Sequence, residues 1–317
     1  MGKLRIAILA GGWSREREIS LEGGRVVFDG LDKKKYDVEM YDPRTELKEI
    51  IAHRATLDLA FILLHGRYGE DGRIQGLMDI LGIRYVGSGV LASAMALNKK
   101  IAKEMYRTAG LSVAKDVILS SGTEFSAEDI MDKLKGPGVV KPLDEGSSLG
   151  MSVCRDRREL EKGIKEAFQY GREVMVEAFV EGTEITCCVI GNDVPETLPL
   201  IEILPKEKYR FFNYEAKYSP GATTEICPAK IEKPLAERAA MSAVTAHRVL
   251  KCSVWSRTDM IIRNSDIFVL ETNTIPGMTR TSLFPLAARA AGMSFSELLD
   301  RLITLSLEKQ GGAEMRI

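Results

Sequence analysis

Apolar runs and amphipathic stretches take turns along the first third of the chain. Leu4–Leu9 is a short apolar strand ending in Ala10-Gly11-Gly12, and a helix pattern follows from about Ser20 to Leu31. Tyr36–Tyr41 reads as a second strand. Leu57–Leu64 is a third, apolar without alternation, as a parallel strand buried on both faces is. A helix over Gly72–Leu81 leads to a strand at Arg84–Val86. Repeated β-α units of this length predict a small parallel sheet with helices on both sides.

The pattern then changes. A helix over Asn98–Ala109 stops at Gly110, where a left-handed backbone costs glycine least. A strand at Ala114–Leu119 precedes a helix opened by Ser126, with Asp129 as its capping partner. Gly138–Pro142 and Met151–Cys154 are strands joined by the polar run Asp144–Gly150. Two strands around a Gly- and Ser-rich loop make a flap, not a P-loop, which would open a helix with G-x-x-x-x-G-K-[ST]. Further strands are predicted at Glu173–Phe179 and Thr183–Ile190. A helix at Pro234–Leu250 precedes a hairpin over Asp259–Glu271, and helices at Leu283–Ala291 and Ser296–Leu307, the second capped by Ser296, end the pattern. Parallel and antiparallel parts together make an α/β chain that is α+β in part.

Composition removes several function classes. The chain has 317 residues, 45% of them hydrophobic, and 44 Lys+Arg against 45 Asp+Glu give a formal net charge of -1. That balance, with no basic run, argues against nucleic acid as a partner, and the apolar content argues against disorder. A chain this long favours two or three domains over one. None of the five cysteines forms a C-x-x-C pair and the three histidines lie far apart, so neither a disulfide framework nor a zinc site is expected. The apolar run Leu59–Leu64 is too short to cross a bilayer and the N-terminus runs straight into a strand, so no membrane association is expected and the expected place is a reducing, soluble compartment. Gly87-Ser-Gly89-Val-Leu-Ala92 fits a dinucleotide pattern, but it follows a late strand and no acidic residue ends the next one, which argues against a nicotinamide or flavin enzyme.

The most informative stretch is Arg257-Thr-Asp259-Met-Ile-Ile-Arg263, Asn264-Ser-Asp266, Ile267-Phe-Val-Leu-Glu271-Thr-Asn273. A three-residue turn that pairs Arg263 with Ile267 sets Asp259 opposite Glu271 and Arg257 opposite Asn273, all four on one face. Opposed carboxylates repel at about 5 Å unless a cation sits between them. Asp, Glu and Asn oxygens suit Mg²⁺, with phosphates supplying the remaining ligands. A one-residue slip would separate the pair, and a solvated hairpin face is the bland alternative. Lys141, at a strand end beside Ser147-Ser148, could present an ammonium and backbone N–H groups to phosphate, though Lys-Pro and Ser-Gly turns are common surface features. The two halves together point to phosphoryl transfer from a nucleotide.

Six strings in order carry a family resemblance. They are Gly11-Gly-Trp-Ser-Arg-Glu16-Arg-Glu18-Ile-Ser20, Leu64-His65-Gly66-Arg-Tyr-Gly69-Glu70-Asp71-Gly72, Val140-Lys141-Pro-Leu-Asp-Glu-Gly-Ser147-Ser148-Leu-Gly150, Tyr214-Glu-Ala-Lys217-Tyr218, Arg257-Thr-Asp259, and Glu271-Thr-Asn273-Thr-Ile-Pro-Gly277-Met-Thr followed by Ser282-Leu283. Over nearly its whole length the sequence resembles the D-alanine–D-alanine ligases, bacterial cell-wall enzymes of the ATP-grasp superfamily.

The resemblance implies an ATP-grasp fold with a Rossmann-like N-terminal domain (1–95), a central domain (96–185) and a C-terminal domain (186–317), ATP lying between antiparallel sheets of the last two. Lys99, Lys141 and Ser148 would meet the phosphates. Glu177, Ala178, Phe179, Val180, Glu184, Phe212 and Lys217 would line the nucleotide, Ala178 standing where many relatives have Lys or Glu. Asp259, Glu271 and Asn273 would hold two Mg²⁺ ions, with Mn²⁺ as an alternative. Glu16 and His65 would receive the first D-alanine; between Glu16 and Glu18 periodicity alone does not choose. Ser147 and Tyr218 would close the site with Glu16. Arg257 and the Gly277 N–H would stabilise the tetrahedral intermediate, and Lys217, Ser282 and Leu283 would hold the second D-alanine's carboxylate. Ser256 replaces a frequent glycine. A cytoplasmic homodimer acting on D-alanine and ATP in peptidoglycan synthesis is implied. An ATP-grasp ligase with a different second substrate is the rival; a catalytically dead nucleotide-binding scaffold would have lost Lys141, Arg257, Asp259 or Glu271, and all four are present.

Overall fold

The computed structural model describes residues 2–143, 150–205 and 223–309. In chain order the N-terminal part contains β1 (Leu4–Leu9), α1 (Arg17–Gly30), β2 (Tyr36–Tyr41), α2 (Leu47–His53), β3 (Leu59–Ile62), α3 (Arg73–Leu81), β4 (Arg84–Val86) and α4 (Val90–Leu97). Its sheet has the order β2-β1-β3-β4 with every pairing parallel, as the repeated β-α units predict. All four residues of β3 are buried, the signature of a strand covered on both faces. The short helix α2 has only Ile50 buried, too little for periodicity to reveal it.

The middle part runs through α5 (Lys99–Thr108), β5 (Asp116–Ser120), α6 (Ala127–Leu134), β6 (Gly138–Pro142), β7 (Ser152–Cys154), α7 (Arg157–Ala167) and β8 (Glu173–Ala178). Asn98 caps α5 by accepting from the Ile101 N–H at 3.1 Å, and Ser126 caps α6 through the Asp129 N–H at 3.1 Å. The sheet order is β5-β8-β6-β7, antiparallel throughout, so β6 and β7 are the two strands expected around the polar run. Pattern reading does not find α7. Its buried stripe is Leu160, Gly163, Ile164 and Ala167, correctly spaced but half made of residues with little apolar surface.

The last part comprises β9 (Thr183–Gly191), β10 (Glu196–Thr197), β11 (Ile201–Pro205), β12 (Thr223–Ile226), α8 (Lys233–Val249), β13 (Val254–Arg263), β14 (Asp266–Asn273), α9 (Leu283–Ala290) and α10 (Phe295–Lys309). Its antiparallel sheet has the order β12-β11-β9-β13-β14, with β10 against β9. The cap of α10 differs from expectation. Ser294, not Ser296, makes a reciprocal capping box with Glu297: the Ser294 hydroxyl accepts from the Glu297 N–H at 3.3 Å and the Glu297 carboxylate accepts from the Ser294 N–H at 2.8 Å. The S-x-x-E spacing decides it.

Three cores result. One spans the parallel sheet and continues into β9, β11, β13, α9 and α10, with Trp255 edge-on between Phe61 at 6.2 Å and Phe284 at 5.2 Å. The second joins α5 to α8 and the other face of the C-terminal sheet. The third is small and lies wholly between Leu119 and Val176. The glycine pattern at 87–92 serves the first core. A Cβ on Gly87, at φ +114°, would stand 3.1 Å from Trp255 Nε1, so glycine there admits the indole. Among the described residues no helix is long and apolar enough to cross a membrane.

Candidate functional site

The hairpin of β13 and β14 sets the centre. Arg257 pairs with Asn273, Thr258 with Thr272 and Asp259 with Glu271, the register expected at the acidic end. The turn end differs. Arg263 pairs with Asp266, not Ile267, so the loop has two residues with Asn264 at φ +59°, and a bulge after Asp259 leaves Leu270 without a partner in the ladder. The extra residue in the turn reappears as the bulge, and the two differences cancel at the carboxylates. Strand β9 completes the row: Thr186 lies opposite Asp259 and Cys188 opposite Arg257. One face of three strands therefore carries Thr186, Asp259 and Glu271 in one row and Cys188, Arg257 and Asn273 in the next.

Arg257 grips Asp259 with two nitrogens, Nε to Oδ1 at 2.8 Å and Nη2 to Oδ2 at 2.9 Å. Asn273 Oδ1 accepts from the Ile275 N–H at 2.9 Å, which fixes the amide oxygen while leaving it a second lone pair. Among the described residues no three Asp, Glu, His or Cys side chains gather around one point. The oxygen set is instead two opposed carboxylates and one amide, which fits a hard divalent cation that shares phosphate oxygens.

Across from the hairpin, Lys141 on β6 reaches Glu177 Oε2 on β8 at 2.5 Å. The other carboxylate oxygen of Glu177 meets Lys103, which donates to the Ala114 carbonyl at 2.8 Å and pairs with Asp116 at 3.0 Å. Burial disfavours the Glu177 charge, but Lys141 and Lys103 outweigh it and hold the carboxyl at about 2. Burial likewise opposes the Lys141 ammonium, and Glu177 and then Glu271 more than compensate, with Glu184 adding to them. Lys141, Glu177, Glu184 and Glu271 are thus brought into one electrostatic neighbourhood. Lys99 opens α5, and its N–H donates to the Leu143 carbonyl at 3.3 Å, setting the helix start beside the end of β6. Ala178 ends β8; Phe179 donates its N–H to the Pro137 carbonyl at 2.9 Å, and Val180 is buried.

The loop before α1 supplies the other wall. The Gly11 N–H donates to Ser20 Oγ and the Gly12 N–H to Asp42 Oδ1, both at 2.8 Å, and both glycines have positive φ. This turn buries Glu16 to 4% exposure while the Glu18 side chain remains 83% exposed. His65 is also buried; burial, helped by the charge of Arg257, outweighs the opposing pull of Glu16 and lowers its pKa, so the ring is neutral at pH 7. Glu70 accepts from the Gly66 N–H at 2.6 Å, and burial followed by the charge of Glu16 pushes its carboxyl up to about 8. On the remaining side, a Cβ on Gly277 would come within 2.9 Å of Ser282 Oγ, and Ser282 accepts from the Thr279 N–H at 2.9 Å at the start of α9. Gly277, Ser282 and the Leu283 N–H therefore belong to one turn. Ser147, Ser148, Phe212, Lys217 and Tyr218 lie outside the described residues.

Sequence reasoning missed Lys103, Glu70 and Thr186. Lys103 left a signal: it falls on the stripe with Ala102 and Tyr106, so a lysine there had to be buried and paired. Glu70 and Thr186 left none, because only packing decides what faces them.

The chain matches the family profile described as D-ala D-ala ligase C-terminus over residues 105–304, and the one described as D-ala D-ala ligase N-terminus over residues 43–88. It is 52% identical to the D-alanine–D-alanine ligase of Syntrophobacter fumaroxidans over 306 residues, covering 96% of this chain and 98% of that one. Identity to the Desulfotalea psychrophila ligase is 50%, covering 98% and 97%. Among solved structures, the Bacillus anthracis D-alanine–D-alanine ligase complexed with ATP superposes with a TM-score of 0.85 at 34% identity, covering 96% of this chain and 98% of that one. The VanG D-Ala:D-Ser ligase of Enterococcus faecalis gives 0.81 at 32% identity, covering 96% and 100%. With that identity spread along nearly the full length, over a site whose carboxylates, arginine and lysine meet as described, the chain belongs to the D-alanine–D-alanine ligase family.

Proposed function

We infer that this protein uses ATP to join two D-alanines, through an acyl phosphate, into D-alanyl-D-alanine for peptidoglycan precursors. The observation that carries the reading is the row of Asp259 and Glu271 beside Arg257 and Asn273, facing the Lys141–Glu177 pair.

A carboxylate is a poor acyl donor because oxide would have to leave. Taking the γ-phosphoryl group converts that oxygen into phosphate, a good leaving group. Lys141, with Lys99 and Ser148, receives phosphate oxygens, and Glu177, Ala178, Phe179, Val180, Glu184, Phe212 and Lys217 bound the nucleotide. Asp259, Glu271 and Asn273 hold Mg²⁺, which when bound neutralises phosphate charge during transfer. Buried Glu16 takes the ammonium of the first D-alanine, and neutral His65 beside it adds no competing positive charge. Ser282 and the Leu283 N–H, at the N-terminus of α9, take the second carboxylate with Lys217. The second amine attacks the acyl carbon, and charge grows on the carbonyl oxygen where Arg257 and the Gly277 N–H can meet it. Tyr218 and Ser147 close the site with Glu16 and exclude water from the acyl phosphate. We place domain limits near 95 and 185, and a cytoplasmic homodimer as the working form.

The test is phosphate release from Mg²⁺-ATP with D-alanine, L-alanine, D-alanine plus D-serine, or no acceptor, with products identified by mass. D-alanine-dependent release with one dipeptide per phosphate is expected. A mixed D-alanyl-D-serine product in preference to the D-alanine dimer would move the second-substrate assignment, and ADP without dipeptide would overturn the substrate class.

A further inference from the structure

The opposed carboxylates need fixed directions as well as fixed backbone positions. Asp259 sits in a central strand with Glu271 on one flank and Thr186 on the other. Thr186 is fully buried at 0% exposure, and its hydroxyl lies 2.6 Å from Asp259 Oδ1 and 3.2 Å from the Thr258 carbonyl. A hydroxyl has one proton to give. The shorter contact, to an ionised acceptor, takes it. The β-branch of threonine restricts χ1, so the strand backbone itself aims this donor at Oδ1.

Arg257 also holds Asp259, through both carboxylate oxygens. In the reaction Arg257 also meets the developing charge on substrate. A carboxylate oriented by that arginine alone would turn whenever the guanidinium shifted toward substrate. A donor on the neighbouring strand removes the conflict: it holds Oδ1 from β9 whether or not the guanidinium moves. We propose that Thr186 is a positioning residue of the metal site, aiming the Asp259 carboxylate at the cation independently of Arg257. The inference rests on Asp259 being a Mg²⁺ ligand.

Thr186→Val keeps the shape and removes the donor; Thr186→Ser keeps the donor. The measurements are Mn²⁺ binding to the ATP complex without D-alanine, read by electron paramagnetic resonance, and D-alanine-dependent phosphate release as free Mg²⁺ is varied with ATP saturating, with the KM for D-alanine at saturating Mg²⁺. Thr186→Val is expected to weaken Mn²⁺ binding and to raise half-saturating Mg²⁺ about tenfold, the lower end of the loss seen when a ligand's hydrogen-bonding partner is removed. Thr186→Ser returns it to within about threefold, and the KM for D-alanine stays within about twofold in both. A packing role alone would lower the folded fraction and leave the Mg²⁺ midpoint unmoved. An unchanged midpoint in Thr186→Val overturns the proposal; if that protein does not fold, Thr186→Ala gives the same comparison. Asp259→Asn separates the two readings: a wild-type Mg²⁺ midpoint in that variant overturns the metal assignment itself, whatever Thr186 does.

Discussion

Glu177 on β8 lies between two lysines, whereas Asp259 on β13 has a second carboxylate, Glu271, directly opposite. The central sheet satisfies its buried charge internally: burial opposes the Glu177 carboxylate, Lys141 and Lys103 outweigh that, and the group is held ionised down to about pH 2. The hairpin brings like charges together and offsets them with Arg257, to which the proposed reaction gives a second task. A charge balanced within the fold serves stability first. A charge left for a ligand to balance serves binding first, and the two glutamates should respond differently to the same substitution.

The largest effect expected is on activity at the hairpin. Asp259→Asn and Glu271→Gln should each lower kcat/KM on the order of a thousandfold, the several kcal/mol of transition-state charge stabilisation at stake. The denaturation midpoint of Glu271→Gln should correspond to less than about 1 kcal/mol of change, because half-exposed charges contribute little. A large loss of stability there would break the contrast.

Glu177→Gln reverses the order. It leaves Lys141 without its paired carboxylate and Lys103 with Asp116 alone, and should cost about 3–5 kcal/mol of unfolding free energy, read by urea titration. It should also change the acid limb. The folded carboxyl at about 2 lies below its ordinary 4.5, so its contribution is complete above the unfolded value and disappears as pH falls from there through about 2. The variant should lack that part of the acid-induced loss.

Lys103→Met sharpens the comparison on a smaller scale, since Glu177 keeps Lys141 and Asp116 keeps Arg107. About 1–3 kcal/mol is expected, with the KM for ATP rising because Glu177 loses one of its two anchors.

The smallest effect concerns the face of β13 turned away from the site. Ser256, the replacement for a frequent glycine, places its hydroxyl 2.8 Å from His247 Nδ1, both groups being buried. Ser256→Ala should cost about 1 kcal/mol without altering activity. Burial, with Arg248 adding to it, lowers the His247 pKa from 6.5 to about 4. The unfolded chain therefore binds more protons between those values, and stability falls as pH drops from 6.5 toward 4. His247→Gln should abolish that slope.

How much of this was readable in advance varies by residue. The strands at Leu4–Leu9 and Leu59–Ile62 follow from their apolar runs, because a central parallel strand is covered on both faces, whereas the edge strand Tyr36–Tyr41 is buried only at its two ends. Helix α7 was not readable, because Gly163 and Ala167 bury little apolar surface. The Asp259–Glu271 pairing was legible although the turn that produces it was assigned wrongly: period-2 alternation constrains which residues share a face, and the bulge at Leu270 absorbed the error.

The preference for Glu16 over Glu18 is the clearest limit, since both sit where a helix begins and each suits the macrodipole. Folding turns one inward behind Gly11 and Gly12 and leaves the other in water. Local pattern by itself determined most of the strands, the Ser126 cap and the shared face of the hairpin, because those depend on neighbours along the chain. Tertiary structure alone decided that Lys103 meets Glu177, that Thr186 meets Asp259 and that Glu70 is held neutral. These depend on burial and on charges brought from distant segments, and neither quantity exists until the chain has packed.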